Sequence, residues 1–116
     1  MAKYAKTLDT IFQALADPTR RSVVDRLCSG PASVSELAAP FDMALPSFVQ
    51  HLKMLEDCGL IRTKKTGRVR TCEVNTKTLT EAEQWIVDRR EFWENRIDAL
   101  EQYLEKDSKK HSKGKG

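Results

Sequence analysis

The 116-residue chain contains no apolar run approaching the roughly 20 residues that a membrane-spanning helix needs. Met-Ala-Lys-Tyr-Ala-Lys at its start is followed by no apolar block, so neither a span nor a signal peptide is expected, and the expected location is the cytoplasm. The cysteines are three, Cys28, Cys58 and Cys72, an odd number far apart with no C-x-x-C pair. That excludes a disulfide framework and a cysteine zinc site; Cys28 and Cys58, near helix ends, read as small core residues. Only two histidines occur, His51 and His111, so imidazole metal ligation has no obvious site and no metal or other cofactor is expected. There is no Ser/His/Asp set, no glycine-rich phosphate loop and no paired acid in an expected cleft, which argues against an enzyme.

What is present is charge, unevenly distributed. Charged residues make up 32% of the chain and hydrophobic ones 40%, the balance of a helix-rich globular domain. The net charge is only +3, yet between Arg62 and Arg70 stand five cations (Arg62, Lys64, Lys65, Arg68 and Arg70) and no acid. From Glu81 to Asp107 nine acids face four cations. The first region suits phosphate, and the second does not.

The apolar pattern supplies the elements. Leu8, Ile11, Phe12 and Leu15 form a helical stripe over about residues 7–16. Asp17-Pro18 then starts a second helix, Asp17 as cap and Pro18 in the first turn, carrying Val23, Val24, Leu27 and Cys28 to Gly30-Pro31. Ser33-Val34-Ser35-Glu36 fits a capping box opening a short third helix that stops by Pro40. A fourth begins with Pro46 in its first position and ends before Gly59, where a left-handed backbone is needed. Phe48, Leu52 and Leu55 form its buried stripe; Pro46, Ser47, Gln50 and Lys53 lie on the open side. Two short helices joined by a tight turn, the second polar outside, make a helix-turn-helix, and its second helix suits a DNA major groove. A surface helix of any kind is polar on one side, so the neighbouring elements carry the argument. His51 lies about 60° from the centre of the core stripe, which suits a hydrogen-bonded flank residue better than a base reader.

After Gly59 the period changes to two. Residues 60–65 and 69–74 read as a hairpin turning at Thr66-Gly67, with Arg70, Cys72 and Val74 on one face. An edge strand uses a lysine or two against sheet-to-sheet pairing, but five cations without an acid point to phosphate or minor-groove contact. Thr80 and Glu83 read as a second capping box, opening a long helix to about residue 105. On it Ile86, Trp93, Ile97, Leu100 and Leu104 mark a helix-packing seam, widened by Trp85, Phe92 and Tyr103. So large an apolar stripe needs a partner, and a second copy of the chain is expected, with Tyr4, Leu8, Ile11 and Phe12 of the first helix contributing. Residues 108–116 are read as a disordered basic tail that touches DNA non-specifically or merely solubilises.

Phe12-Gln13-Ala14-Leu15-Ala16-Asp17-Pro18-Thr19-Arg20-Arg21, Ser35-Glu36-Leu37, Gln50-His51-Leu52-Lys53-Met54-Leu55, Gly59-Leu60-Ile61 and Gly67-Arg68 together resemble the ArsR (ArsR/SmtB) family of bacterial winged-helix repressors. The resemblance spans about residues 5–104, and Leu-Ala-Asp-Pro-Thr-Arg is its most specific part. It implies a mainly α winged helix-turn-helix of about five helices with a two-stranded β wing over residues 1–107, dimerising through the first and last helices (Leu8, Ile11, Phe12, Trp93, Ile97, Leu100 and Leu104). It also implies a homodimer on a dyad-symmetric double-stranded operator. Pro46, Ser47, Gln50, His51 and Lys53 would lie on the recognition helix, and Arg62, Lys64, Lys65, Arg68 and Arg70 on the wing. Many relatives carry serine where Val49 stands, and metal sensors carry Cys-x-Cys where this chain has Ser35-Glu36-Leu37-Ala38-Ala39, so it looks like a member without the metal switch. Two alternatives stay open: a protein-interaction module docking through the last helix, and a repressor released by thiol oxidation.

Overall fold

A computed structural model describes the backbone of residues 2–115 and the side chains of residues 7–108. Tyr4, His111 and nearly all of the expected tail lie outside the described side chains. The elements run α1 (Ala2–Leu15), α2 (Pro18–Leu27), β1 (Ala32–Ser33), α3 (Val34–Ala38), α4 (Leu45–Asp57), β2 (Ile61–Thr66), β3 (Val69–Val74) and α5 (Thr76–Lys115). Residues 1–82 form one compact unit and residues 83–116, all helix where described, a second.

The first unit is built around α4. Phe48 and Leu55 are fully buried and Leu52 nearly so, packed with Ile11 and Ala14 of α1, Val23, Val24 and Leu27 of α2, Leu37 of α3 and Leu60, Ile61 and Cys72 of the sheet. The Phe41 ring, in the turn before α4, lies 5.4 Å from that of Phe48 and tilted to it.

The caps read from the sequence are present at two helix starts. The Asp17 carboxylate accepts from the Arg20 amide at 3.1 Å and Pro18 takes the first turn of α2. At α3 the Glu36 amide donates to Ser33 Oγ at 3.1 Å while the Ser33 amide donates to Glu36 Oε1 at 3.2 Å, a complete capping box. The Asp17 carboxyl is held below its ordinary value, chiefly by the Arg20 amide, with His51 and the Arg20 charge adding to the effect. A depressed carboxyl contributes stability above its unfolded value, and that contribution disappears as pH falls through the folded value. Asp17→Ala should therefore cost about 1 kcal/mol at neutral pH. Asp17→Asn should retain the cap but lose the pH dependence contributed by this group below about 4, compared by urea unfolding across pH. An unchanged acid limb in Asp17→Asn would show that the carboxylate contributes nothing there.

Several boundaries differ from the sequence reading. Pro46 is the second residue of α4 rather than the first, because Leu45 already has helical backbone after Ala44. The hairpin loop is Gly67-Arg68, between the paired residues Thr66 and Val69; Gly67 takes the positive φ, +62°, which the turn requires at its first position. The wing belongs to a three-stranded sheet in the order β1-β3-β2, since Ala32 and Ser33 pair with Cys72 and Thr71. Two residues are too few to show a period of two, so β1 was invisible in sequence. α5 starts at Thr76, a turn before the expected Thr80–Glu83 box: Asn75 accepts from the amides of Thr78 and Leu79 through its carbonyl and from Lys77 through Oδ1, and Thr80 Oγ1 donates back to the Thr76 carbonyl. Its backbone continues past the expected end near residue 105. Cys28, read as core, is exposed, because it follows the last buried turn of α2 at Leu27.

Gly59 has φ +85°, as expected past the end of α4, and a Cβ there would also meet Thr78 Oγ1 at 3.2 Å. Chain reversal and close packing on the start of α5 thus both favour glycine at this position.

Candidate nucleic-acid interface

Because α4 turns about 100° per residue, its buried stripe leaves one open face and two shoulders. Pro46, Ser47, Gln50 and Lys53 are all exposed on the open side. Ala44 caps the helix with its carbonyl only, and no side chain covers the positive end of the helix dipole.

One shoulder meets α1 and α2. His51 is half-buried there, its Nδ1 3.1 Å from Nη1 of Arg20. Arg20 has only donors, so Nδ1 accepts and the ring proton sits on Nε2. The carboxylate of Asp17 is 3.8 Å from the same nitrogen, a longer contact that does not compete with the bond from Arg20. Arg20 itself is 9% exposed and donates through Nε to the Ala14 carbonyl at 2.8 Å and through Nη2 to that of Gln13 at 3.2 Å. One guanidinium thus closes the last turn of α1 and holds the flank of α4. The sequence quoted Arg20 only within a motif; its role was illegible because its partners lie 6, 7 and 31 positions away.

The other shoulder faces the wing. Glu56 near the end of α4 accepts a short hydrogen bond from the Thr63 hydroxyl on β2. The register places Lys65 directly opposite Arg70, Lys64 opposite Thr71 and Arg62 opposite Glu73. Opposed residues share a face, so Lys65 and Arg70 lie on the side of buried Cys72, Arg62 and Lys64 on the other, and Arg68 in the loop. The five cations are therefore divided between two faces. Like charges directly opposite in a hairpin repel, a cost that an anion laid across them removes.

Partnering separates the cations further. Arg62 donates to Asn75 Oδ1 at 3.3 Å, at the base of the hairpin. Arg21 donates to the Leu15 carbonyl, Arg26 to Gly30, Arg90 pairs with Glu94, and Arg89 and Arg96 lie over the rings of Trp85 and Phe92. Of the nine arginines, all with described side chains, only Arg68 and Arg70 have no such partner, and Lys53, Lys64 and Lys65 likewise have none among the described residues.

On the first helix the structure separates residues that the sequence grouped. Ile11 is 0% and Leu8 7% exposed within the single chain, so these side chains belong to its own core; only Phe12 of the three is half-open. Their spacing fitted either role, and the neighbours in α2 and α4 decide it. On α5, in contrast, Trp93, Ile97, Leu100 and Leu104 are 40–62% exposed.

Burial pushes the thiols of Cys58 and Cys72 above the ordinary value, so both are protonated at neutral pH and poor nucleophiles. Among the described residues no three of His, Cys, Asp and Glu lie close enough to hold a metal ion, and no helix is long and apolar enough to cross a membrane.

A recognition helix with an open polar face, braced behind and flanked by a basic hairpin, defines a winged helix-turn-helix. A helix-turn-helix domain family matches residues 15–64. An HTH-type transcriptional regulator of Mycobacterium tuberculosis is 35% identical over 97 residues, 84% of this chain and 88% of that protein. The crystal structure of an ArsR family transcriptional regulator superposes with a TM-score of 0.75 at 60% identity, over 81% of this chain and 97% of the other. The homodimeric winged helix-turn-helix DNA-binding domain of a Mycobacterium bovis protein shares the fold, with a TM-score of 0.63 at 20% identity over 78% and 86%. The chain belongs to the ArsR family of winged helix-turn-helix transcriptional regulators.

Proposed function

We propose that residues 1–107 form a homodimeric repressor that binds a dyad-symmetric operator in the cytoplasm. Pro46, Ser47, Gln50 and Lys53 would lie in the major groove, with Lys64, Lys65, Arg68 and Arg70 on adjacent phosphates. The carrying observation is the set of unpartnered cations: arginines elsewhere are tied to protein groups, while Arg68, Arg70, Lys53, Lys64 and Lys65 are left for an external anion. His51 acts from behind, through Arg20, rather than on a base. The apolar face of α5 supports pairing of two copies, as does the homodimeric state of the Mycobacterium bovis neighbour. Repression follows from occupancy, since a protein filling successive grooves excludes others from the same DNA.

The roles separate by mutation once the operator has been selected from genomic fragments. Gln50→Ala should reduce discrimination at the base it reads by about 1–3 kcal/mol and leave the salt slope alone. Arg68→Ala should weaken all sequences alike and lower the slope of log K against log salt by about 0.9. Equal slope changes in both variants would overturn this division of labour.

A further inference from the structure

We propose that the cleft between α4 and the wing is a regulatory site for a small apolar carboxylate, an inference that rests on the DNA-reading role of the same surface. The cleft has a volume of about 310 Å³, the lower end of the range for small-molecule sites. Its apolar wall is Val34 at the start of α3 with Val49 and Leu52 of α4. Val49 is 41% exposed on the recognition helix, so an apolar β-branched side chain there faces open space. A ligand with a compact apolar body covers that wall and removes it from water.

The charged lining decides the other end of the ligand. Lys53 and Arg70 reach the cleft from opposite walls, and neither has a partner among the described residues. Glu56 also lines it, but its carboxylate is held by Thr63, leaving Asp57 as the one acid without a partner against two such cations. A monoanion therefore fits better than a cation. A carboxylate accepts from both Lys53 and Arg70 at once, the bidentate geometry that arginine favours. These two cations are also assigned to operator phosphates, so ligand and DNA compete for the same charges. By linkage, each lowers the affinity of the other equally.

The test uses the full-length protein, titrated without DNA by ¹⁵N NMR and calorimetry with 2-naphthoate and, as the charge-reversed control, 2-naphthylmethylammonium. 2-Naphthoate should bind and shift the amides of Val34, Val49, Leu52 and Thr63; the ammonium compound should not. Saturating 2-naphthoate should then raise the Kd for the selected operator about tenfold, within the ordinary range of coupling between sites. Val34→Phe, which fills the cleft from outside the DNA-contacting set, should lose 2-naphthoate binding while keeping operator affinity and salt slope. Its melting curve checks folding, and Arg70→Gln, titrated without DNA, provides a second loss of 2-naphthoate affinity. Binding of neither compound, or equal binding of both, overturns the site. Binding at these amides without any change in operator affinity overturns its regulatory role. Failure to find any operator would instead strike the DNA-reading role, which the DNA-free titrations do not depend on.

Discussion

Ile97→Glu combined with Leu100→Glu is expected to yield a folded monomer that binds the operator at least about 100-fold more weakly than the unaltered protein. Both side chains are open in the single chain, at 40% and 57% exposure, so the substitutions leave no cavity and bury no charge within it. They sit between Trp93 and Leu104 on the seam where two copies would meet, and two carboxylates per chain there would be desolvated against apolar neighbours. Desolvation of even one unpaired charge costs more than a helix–helix contact of this size returns. Affinity falls steeply because a dimer holds the second recognition helix at high effective concentration over the second half-site, and a monomer does not. Asp98→Asn is the control: Asp98 is exposed and about 120° around the helix from the seam. Sedimentation should show a monomer for the double variant and a dimer for Asp98→Asn, with unchanged helix content and melting of the first unit. A double variant that stays dimeric would place the interface elsewhere.

Arg20→Met is expected to destabilise the first unit by roughly 2–4 kcal/mol in urea, the largest effect of any single polar change in it. Methionine preserves most of the volume, so packing is not the main loss. Removing the guanidinium leaves the Ala14 carbonyl buried without its donor, frees that of Gln13 and releases His51. Each hydrogen bond to a charged donor is worth about 1.5–3 kcal/mol, and a carbonyl that water cannot reach pays its full desolvation cost. Against that stands the cost of burying a cation, but Asp17 lies near enough to offset it, as its lowered carboxyl shows. Arg20→Lys should recover only part of the loss, since one ammonium cannot span two carbonyls and an imidazole as the fork does. Arg21→Met, which removes an exposed bond to the Leu15 carbonyl, should cost under about 1 kcal/mol. If Arg20 and Arg21 prove equivalent, the clamp between α1 and α4 contributes nothing beyond ordinary helix capping. Because His51 orients the flank of the recognition helix, Arg20→Met should also weaken discrimination among operators under conditions where the protein is still fully folded.

The division between what was legible in sequence and what was not follows the range of the interactions. Caps, turns and stripes are local, acting over three or four residues or a period of two. Asp17 before Pro18, Ser33 with Glu36, glycine at 59 and 67, and Phe48, Leu52 and Leu55 on one stripe were therefore readable without coordinates. Local signals also misled where two of them competed. Asn75 caps α5 a turn before Thr80, and both positions carry a good cap residue.

By itself the sequence determined the class of this protein: the order of elements, the helix-turn-helix, the basic hairpin and the apolar last helix. Tertiary structure alone decided which of several chemically equivalent residues remain free. Ile11 and Ile97 are the same residue on similar stripes, yet one is 0% exposed and the other 40%, because α2 and α4 cover the first. Arg62 and Arg70 belong to one basic run, yet Asn75 holds Arg62 and Arg70 is left to line a cleft with Lys53. Burial and partnering depend on residues distant in sequence, which a pattern read along one chain does not contain.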